Sequence, residues 1–166
     1  MAESFSPDRL STDKAARYAE TRAEIAAVLD GEADRTARMA TVAAMLKQAF
    51  DQFFWAGFYV VDADNPQELV VGPYQGTLGC LRIAFGRGVC GAAALSRRTQ
   101  IVEDVHAFPG HIACDGRSLS EIVVPVLDAH GRLIAVFDVD ATQLAAFDRT
   151  DAEGLERILA DTFAAI

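Results

Sequence analysis

The chain has 166 residues, of which 51% are hydrophobic, enough for one domain with its own core. Its 15 Lys and Arg stand against 24 Asp and Glu, and the formal charge of −9 argues against nucleic acid and anionic membrane surfaces as partners and for cationic or zwitterionic ligands. No apolar run reaches the length of a membrane span, and the first residues lack a basic segment followed by an apolar one, so a cytoplasmic location without a secretory leader is expected.

Residues 12–29 read as a first helix: Thr12 or Asp13 is placed to cap it, Tyr18, Ile25 and Leu29 recur on one face, and Gly31 ends it. A second helix runs over 34–50, with Met39, Val42, Leu46 and Ala49 at helical spacing. The period then changes. Aromatic and β-branched residues over 53–61 indicate a strand, with Trp55, Gly57 and Tyr59 on one face, Phe54, Ala56 and Phe58 on the other, and both faces buried. A turn at 62–66 and a return strand over 68–74 complete a hairpin. Gly76, Gly79, Gly86, Gly88 and Gly91 then crowd around Cys80 and Cys90, a density that calls for tight turns or close backbone approach. A short helix is expected over 89–96, with Cys90 in its first turn. Strands follow over 99–105, 121–127 and 132–140, the last two joined by a turn at 128–131. The final helix starts at Thr150 with a Thr150-x-x-Glu153 capping box and buries Leu155, Ile158, Leu159, Thr162 and Phe163. Helices, then a mostly antiparallel meander with one inserted helix, then a helix, define an α+β fold of sheet and helix layers.

The chemistry concentrates in the segment 108–125, F-P-G-H-I-A-C-D-G-R-S-L-S-E-I-V-V-P. Pro109 and Gly110 break any helix, and Gly116, Ser118 and Ser120 extend the irregular stretch, which places Cys114 on a loop, just ahead of a strand opening with Glu121. A free cysteine is more often a small buried apolar residue than a nucleophile, and the loop setting reverses that expectation for Cys114. The chain holds three cysteines, an odd number, so in a reducing compartment a disulfide among them would be transient and catalytic. Glu121, Asp138 and Asp140 stand at the starts or ends of two strands. They are either solvated strand ends or three carboxylates sharing a cavity, and the second case demands a proton or a cation among them. His106, His111 and Cys114 give H-x₄-H-x₂-C, which lacks the spacing of a recognised zinc site; no metal is expected, and His111 is read as ordering the loop. For Trp55 and Tyr59 simple core packing is the default.

Four separated motifs, G-R-G-V-C-G (86–91), D-V-H-A-F-P-G-H-I-A-C-D (104–115), S-E-I-V-V-P (120–125) and F-D-V-D (137–140), together with the cysteine spacing, resemble the free methionine-(R)-sulfoxide reductases, which are stand-alone GAF domains. Leu119 stands where that family usually has Asn, and Thr77-Leu78-Gly79 departs from its glycine-rich stretch. The resemblance covers roughly residues 30–160. It implies a GAF-like central, mostly antiparallel sheet flanked by N-terminal and C-terminal helices, with residues 1–30 as a helical extension and 31–166 as the GAF domain.

The activity so implied is reduction of free L-methionine (R)-S-oxide. Cys114 would attack sulfur and become a sulfenic acid, and Cys80 would resolve it as a disulfide. Cys90 would be a relay or a spare, and packing at a helix start is an equally open reading for it. One or two of Glu121, Asp138 and Asp140 would hold the substrate ammonium group, while Glu121, its proton affinity raised by its acidic neighbours, would hydrogen-bond the sulfoxide oxygen. Trp55 and Tyr59 would wall the pocket for the methyl group. Backbone N–H groups in the turn from Asp115 through Ser118 to Ser120 are placed to meet the substrate carboxylate. No cofactor is implied beyond a dithiol donor such as thioredoxin, and a homodimer is expected because the family commonly forms one. The rival expectation is a GAF module that senses a small molecule, since one fold hosts both functions; a sensor has no need of three cysteines.

Overall fold

In the computed structural model, which describes residues 5–164, the core is a six-stranded antiparallel sheet with helices on both faces. Two helices come first, α1 (Lys14–Val28) and α2 (Arg35–Ala49), followed by β1 (Trp55–Val61), β2 (Glu68–Gln75) and β3 (Arg82–Ala84). After α3 (Gly88–Ser96) come β4 (Gln100–Val102), β5 (Ser120–Leu127), β6 (Leu133–Ala141) and α4 (Arg149–Phe163). The strand order is β3-β2-β1-β6-β5-β4, which makes β2, β1, β6 and β5 the interior strands. Among the described residues, no helix is long and apolar enough to cross a membrane.

Strand periodicity divides the core in two. Ala56 and Phe58 of β1, Ile122, Val124 and Val126 of β5, and Ala135, Phe137 and Val139 of β6 face α1, α2 and α4, where they pack with Ile25, Met39, Leu46, Leu155, Ile158 and Phe163. The alternate residues, Trp55, Tyr59, Val123 and Val136, face α3 and pack with Val89, Cys90 and Ala93. Phe54 departs from the alternation expected of it. It precedes β1 and joins the α3-side cluster instead of Phe58, while Phe53 fills the helical side. Gly57 is required by β2: a Cβ there would lie 2.2 Å from Cβ of Tyr74.

The helix boundaries follow their caps. Asp13 accepts from Ala16 N and Asp34 from Ala37 N, in each case satisfying a free first-turn N–H. For α4 the expected Thr150–Glu153 box is replaced by one made of Asp148 and Asp151. Asp151 is chosen because it serves tertiary structure as well. Its buried carboxylate accepts from Asp148 N, from Tyr18 Oη at 2.8 Å and from Lys14 Nζ at 2.8 Å, tying α4 to α1. One strand expectation also needs correction, and one strand was not expected. The strand expected over 99–105 ends at Val102, because the Asp104 carboxylate accepts from His106 N and turns 105–107 into a 3₁₀ segment. β3, only three residues long, was not legible from periodicity and exists because it adds to the edge of β2.

Candidate active site

Sheet register assembles the floor of a pocket on the α3 side. Across β1, β6 and β5, Trp55 pairs with Asp140 and Asp140 with Glu121, while Gly57 pairs with Asp138 and Asp138 with Val123. Two rows of the sheet thus bring Trp55, Asp140, Glu121 and Asp138 to one face. The first turn of α3 packs above them, so that Cys90 Sγ lies 4.0 Å from Glu121 Oε1.

The carboxylates are not solvated strand ends. Glu121 and Asp138 each retain 6% of their surface, and Oδ1 of Asp138 is buried without a hydrogen-bond partner. Burial, and after it the charge on Asp140, raises the pKa of Glu121 well above the ordinary carboxyl range. The same two causes, with Glu121 as a further charge, raise Asp138. Asp140 is pushed up to about 6 by burial, against the opposing hydrogen bond from Ser118. Beside this cluster the Cys90 thiol is also driven up, first by burial and then by Asp138 and Glu121. A helix N-terminus ordinarily favours a thiolate. Here desolvation and adjacent carboxyl groups outweigh it, which leaves Cys90 a protonated thiol.

The roof consists of two loops. Cys80, on the loop after β2, is joined in a disulfide to Cys114 on the loop before β5, with a Cα–Cα distance of 5.5 Å. Thr77 Oγ1 donates to Asp115 Oδ2 at 2.8 Å, and Trp55 Nε1 donates to the Thr77 carbonyl at 2.9 Å, so the first loop is pinned to both the second loop and the sheet. Arg117 donates from Nε and Nη2 to the two oxygens of Asp115, and its guanidinium stacks 4.8 Å from the Phe54 ring centroid. These donors from Arg117, with Thr77, hold the Asp115 carboxyl far below its ordinary range. Trp55 stacks on Tyr59 at 5.7 Å and on Tyr74 at 5.0 Å, which makes Trp55 and Tyr59 a rigid aromatic wall. Burial keeps the Tyr59 hydroxyl protonated.

Every site residue expected from the sequence is therefore near this pocket, with distinct placements. Cys114, Cys90, Glu121, Asp138, Asp140, Trp55, Tyr59, Asp115 and Ser118 line it, and Cys80 closes the bridge above it. The turn expected to meet a carboxylate, from Asp115 to Ser120, has some of its N–H groups engaged and others open. N–H groups of Arg117, Ser118 and Leu119 already donate to Asp115 Oδ1, Asp115 O and Ala141 O, and those of Cys114, Asp115 and Gly116 meet no acceptor among the described residues. His111 does more than order its loop, since Nε2 lies 3.6 Å from Glu121 Oε2. His106 is exposed and pairs with Asp104. Among the described residues, the group whose ligand atoms come within 4.8 Å of one another is Cys90, Glu121 and Asp138, not the histidines with Cys114. Thr77 and Arg117 were missed: nothing local marks a threonine or an arginine as a latch between loops distant in sequence.

A pocket between a GAF-type sheet and its crossing loops, with a thiol pair at the mouth and buried acids at the floor, defines the class, and a GAF domain family model matches residues 14–166. The chain belongs to the GAF domain family. It is 41% identical over 143 residues to the free methionine-R-sulfoxide reductase of Escherichia coli (strain K12), covering 86% of this chain and 84% of that protein. The X-ray structure of free methionine-R-sulfoxide reductase from Neisseria meningitidis in complex with its substrate matches with a TM-score of 0.87 and 48% identity, over 96% of this chain and 92% of that one. The reduced form of the Staphylococcus aureus fRMsr matches with a TM-score of 0.84 and 41% identity, over 89% and 95%. Within the GAF domains, the chain is a member of the free methionine-R-sulfoxide reductases.

Proposed function

We propose that the protein reduces free L-methionine (R)-S-oxide to methionine through a sulfenic acid on Cys114 and an intramolecular disulfide with Cys80. The observation that carries this reading is the Cys80–Cys114 bridge over a pocket floored by three carboxyl groups. A sulfoxide is a poor electrophile until its oxygen is protonated, and Glu121, buried and with its pKa raised, is an acid poised to donate there. The Cys114 thiolate attacks the activated sulfur, oxygen passes to Cys114 as S–OH, and methionine leaves. Cys80 then attacks the sulfenic sulfur; hydroxide departs as water with one proton, and the disulfide remains. A dithiol reductant of the thioredoxin type supplies two electrons to open it. No metal or organic cofactor is needed in this scheme.

Asp138 and Asp140 receive the substrate ammonium group, which supplies the partner that Asp138 Oδ1 lacks. The substrate carboxylate is taken by the N–H groups of Cys114, Asp115 and Gly116, with the side chains of Asp115 and Ser118 fixing the loop and Asp140 respectively. Trp55 and Tyr59 flank the S-methyl group, where sulfur against aromatic rings is favourable. Cys90, kept as a thiol, holds the Glu121–Asp138 pair in place.

The test is to incubate the protein with each epimer of free methionine sulfoxide and dithiothreitol and to quantify methionine. Product from the (R) epimer is expected; none from that epimer overturns the reading and leaves a small-molecule sensor in its place.

A further inference from the structure

We infer that the exposed loop around Cys80 is the docking surface for a protein dithiol, seated on Leu78 and Leu81 and directed at Cys80 Sγ. The two leucines are the most exposed large hydrophobic side chains among the described residues, at 76% and 69%, and they bracket one half of the disulfide. Isolated exposed leucines need no explanation. Two within four residues of a bond that must be reduced in every cycle do, because a small thiol needs no apolar surface to reach a disulfide whereas a protein needs one to hold its sulfur in line. The backbone supports the presentation. Val71 N donates to the Leu81 carbonyl, and Trp55 Nε1 to that of Thr77, so the loop is anchored to the sheet at both ends while the side chains of Leu78 and Leu81 are exposed and Cys80 is half-buried between them.

The inference rests on the cycle described above. In the step it assigns, a partner thiolate attacks Cys80 Sγ; a partner–Cys80 S–S bond forms, the Cys80–Cys114 bond breaks, and its electron pair leaves on Cys114. The second partner thiol then attacks the partner sulfur of that mixed disulfide and expels Cys80 as thiolate. The partner is oxidised by two electrons to its own disulfide, and its two thiol protons pass through solvent to Cys80 and Cys114.

The experiment uses the full chain in its disulfide form, without methionine sulfoxide, and follows reduction by thioredoxin and by dithiothreitol. Because Leu78 also edges the pocket, the variants fall on Leu81. Leu81→Glu is expected to slow reduction by thioredoxin about tenfold or more and to leave reduction by dithiothreitol unchanged, while Leu81→Met keeps both rates. Thioredoxin with its resolving cysteine replaced by serine should be trapped on the peptide carrying Cys80. Equal thioredoxin rates for Leu81→Glu and the unmodified protein, parallel loss with both reductants, or an adduct on Cys114 would each overturn the assignment. Since no substrate is present, failure here is separate from failure to produce methionine.

Discussion

Removing one of the pocket's carboxyl groups should make the protein more stable at neutral and alkaline pH even as it damages turnover, and Asp140→Asn is the clearest case. Asp140 is pushed from 3.8 up to about 6, with burial as the main cause. A carboxyl group whose pKa is raised on folding binds its proton more tightly in the native state, so its favourable contribution is complete below the unfolded value and is lost as pH rises through the folded one. Above pH 7, burying this charge costs about 3 kcal/mol, from about two units at 1.36 kcal/mol each. Asn is close in volume and its amide oxygen still accepts from Ser118, so the substitution removes the charge with little change in packing. Denaturant unfolding of the disulfide form at pH 8 should show a gain approaching about 3 kcal/mol, which shrinks as pH falls through 6 and disappears below 4. A loss of stability at pH 8, or a gain that does not depend on pH, would refute the claim that an ionised Asp140 is held there at a cost. That cost is consistent with a site kept ready for a cationic ligand.

N-acetylation of the substrate removes the ammonium group and should lower kcat/KM by about 1.5 to 3.5 decades, corresponding to roughly 2 to 5 kcal/mol for a buried hydrogen-bonded charge pair, and Asp138→Asn should narrow the gap; comparable kcat/KM for both substrates in the unmodified enzyme would discredit the ammonium site. Cys114→Ser should abolish methionine formation while unfolding with the same cooperativity, because a hydroxyl is a poor nucleophile toward sulfur; more than trace activity would take the attacking role from Cys114. Cys80→Ser should yield one methionine per enzyme without added thiol and a sulfenic acid detectable by mass on Cys114, and normal multiple turnover with thioredoxin would contradict its role as the resolving thiol. Asp151→Ala strips acceptors from Tyr18, Lys14 and Asp148 N at once, and a thermal or denaturant shift of about 2 to 4 kcal/mol is expected; under 1 kcal/mol would show that the α1–α4 tie is not important to stability.

Much of this molecule follows from its sequence read locally. Period 3.6 over α1, α2 and α4 and period 2 over β1, β5 and β6 depend only on which side chains must leave water, so Tyr18, Met39, Phe58 and Phe163 were legible as core. The placement of Cys114 on a loop ahead of Glu121 was legible for the same reason, since Pro109 and Gly110 forbid regular structure there. Pairing among the cysteines was not. Cys80 and Cys90 are close in sequence, and only the fold puts one over the pocket mouth and the other beneath it, against the acids. The state of the carboxyl groups was hidden too. Whether Asp138 and Asp140 end a strand in water or face a pocket depends on register with β1 and β5 and on α3 packing above them, and the desolvation there is what chiefly raises their pKa values. The α4 cap shows the same division: the sequence offers acceptors at Asp148, Thr150 and Asp151, and the choice falls to Asp148 and Asp151 because Tyr18 and Lys14 arrive from α1 to share the charge. Sequence sets which groups seek burial or partners; tertiary structure decides which partners they meet, because desolvation and charge act through space and not along the chain.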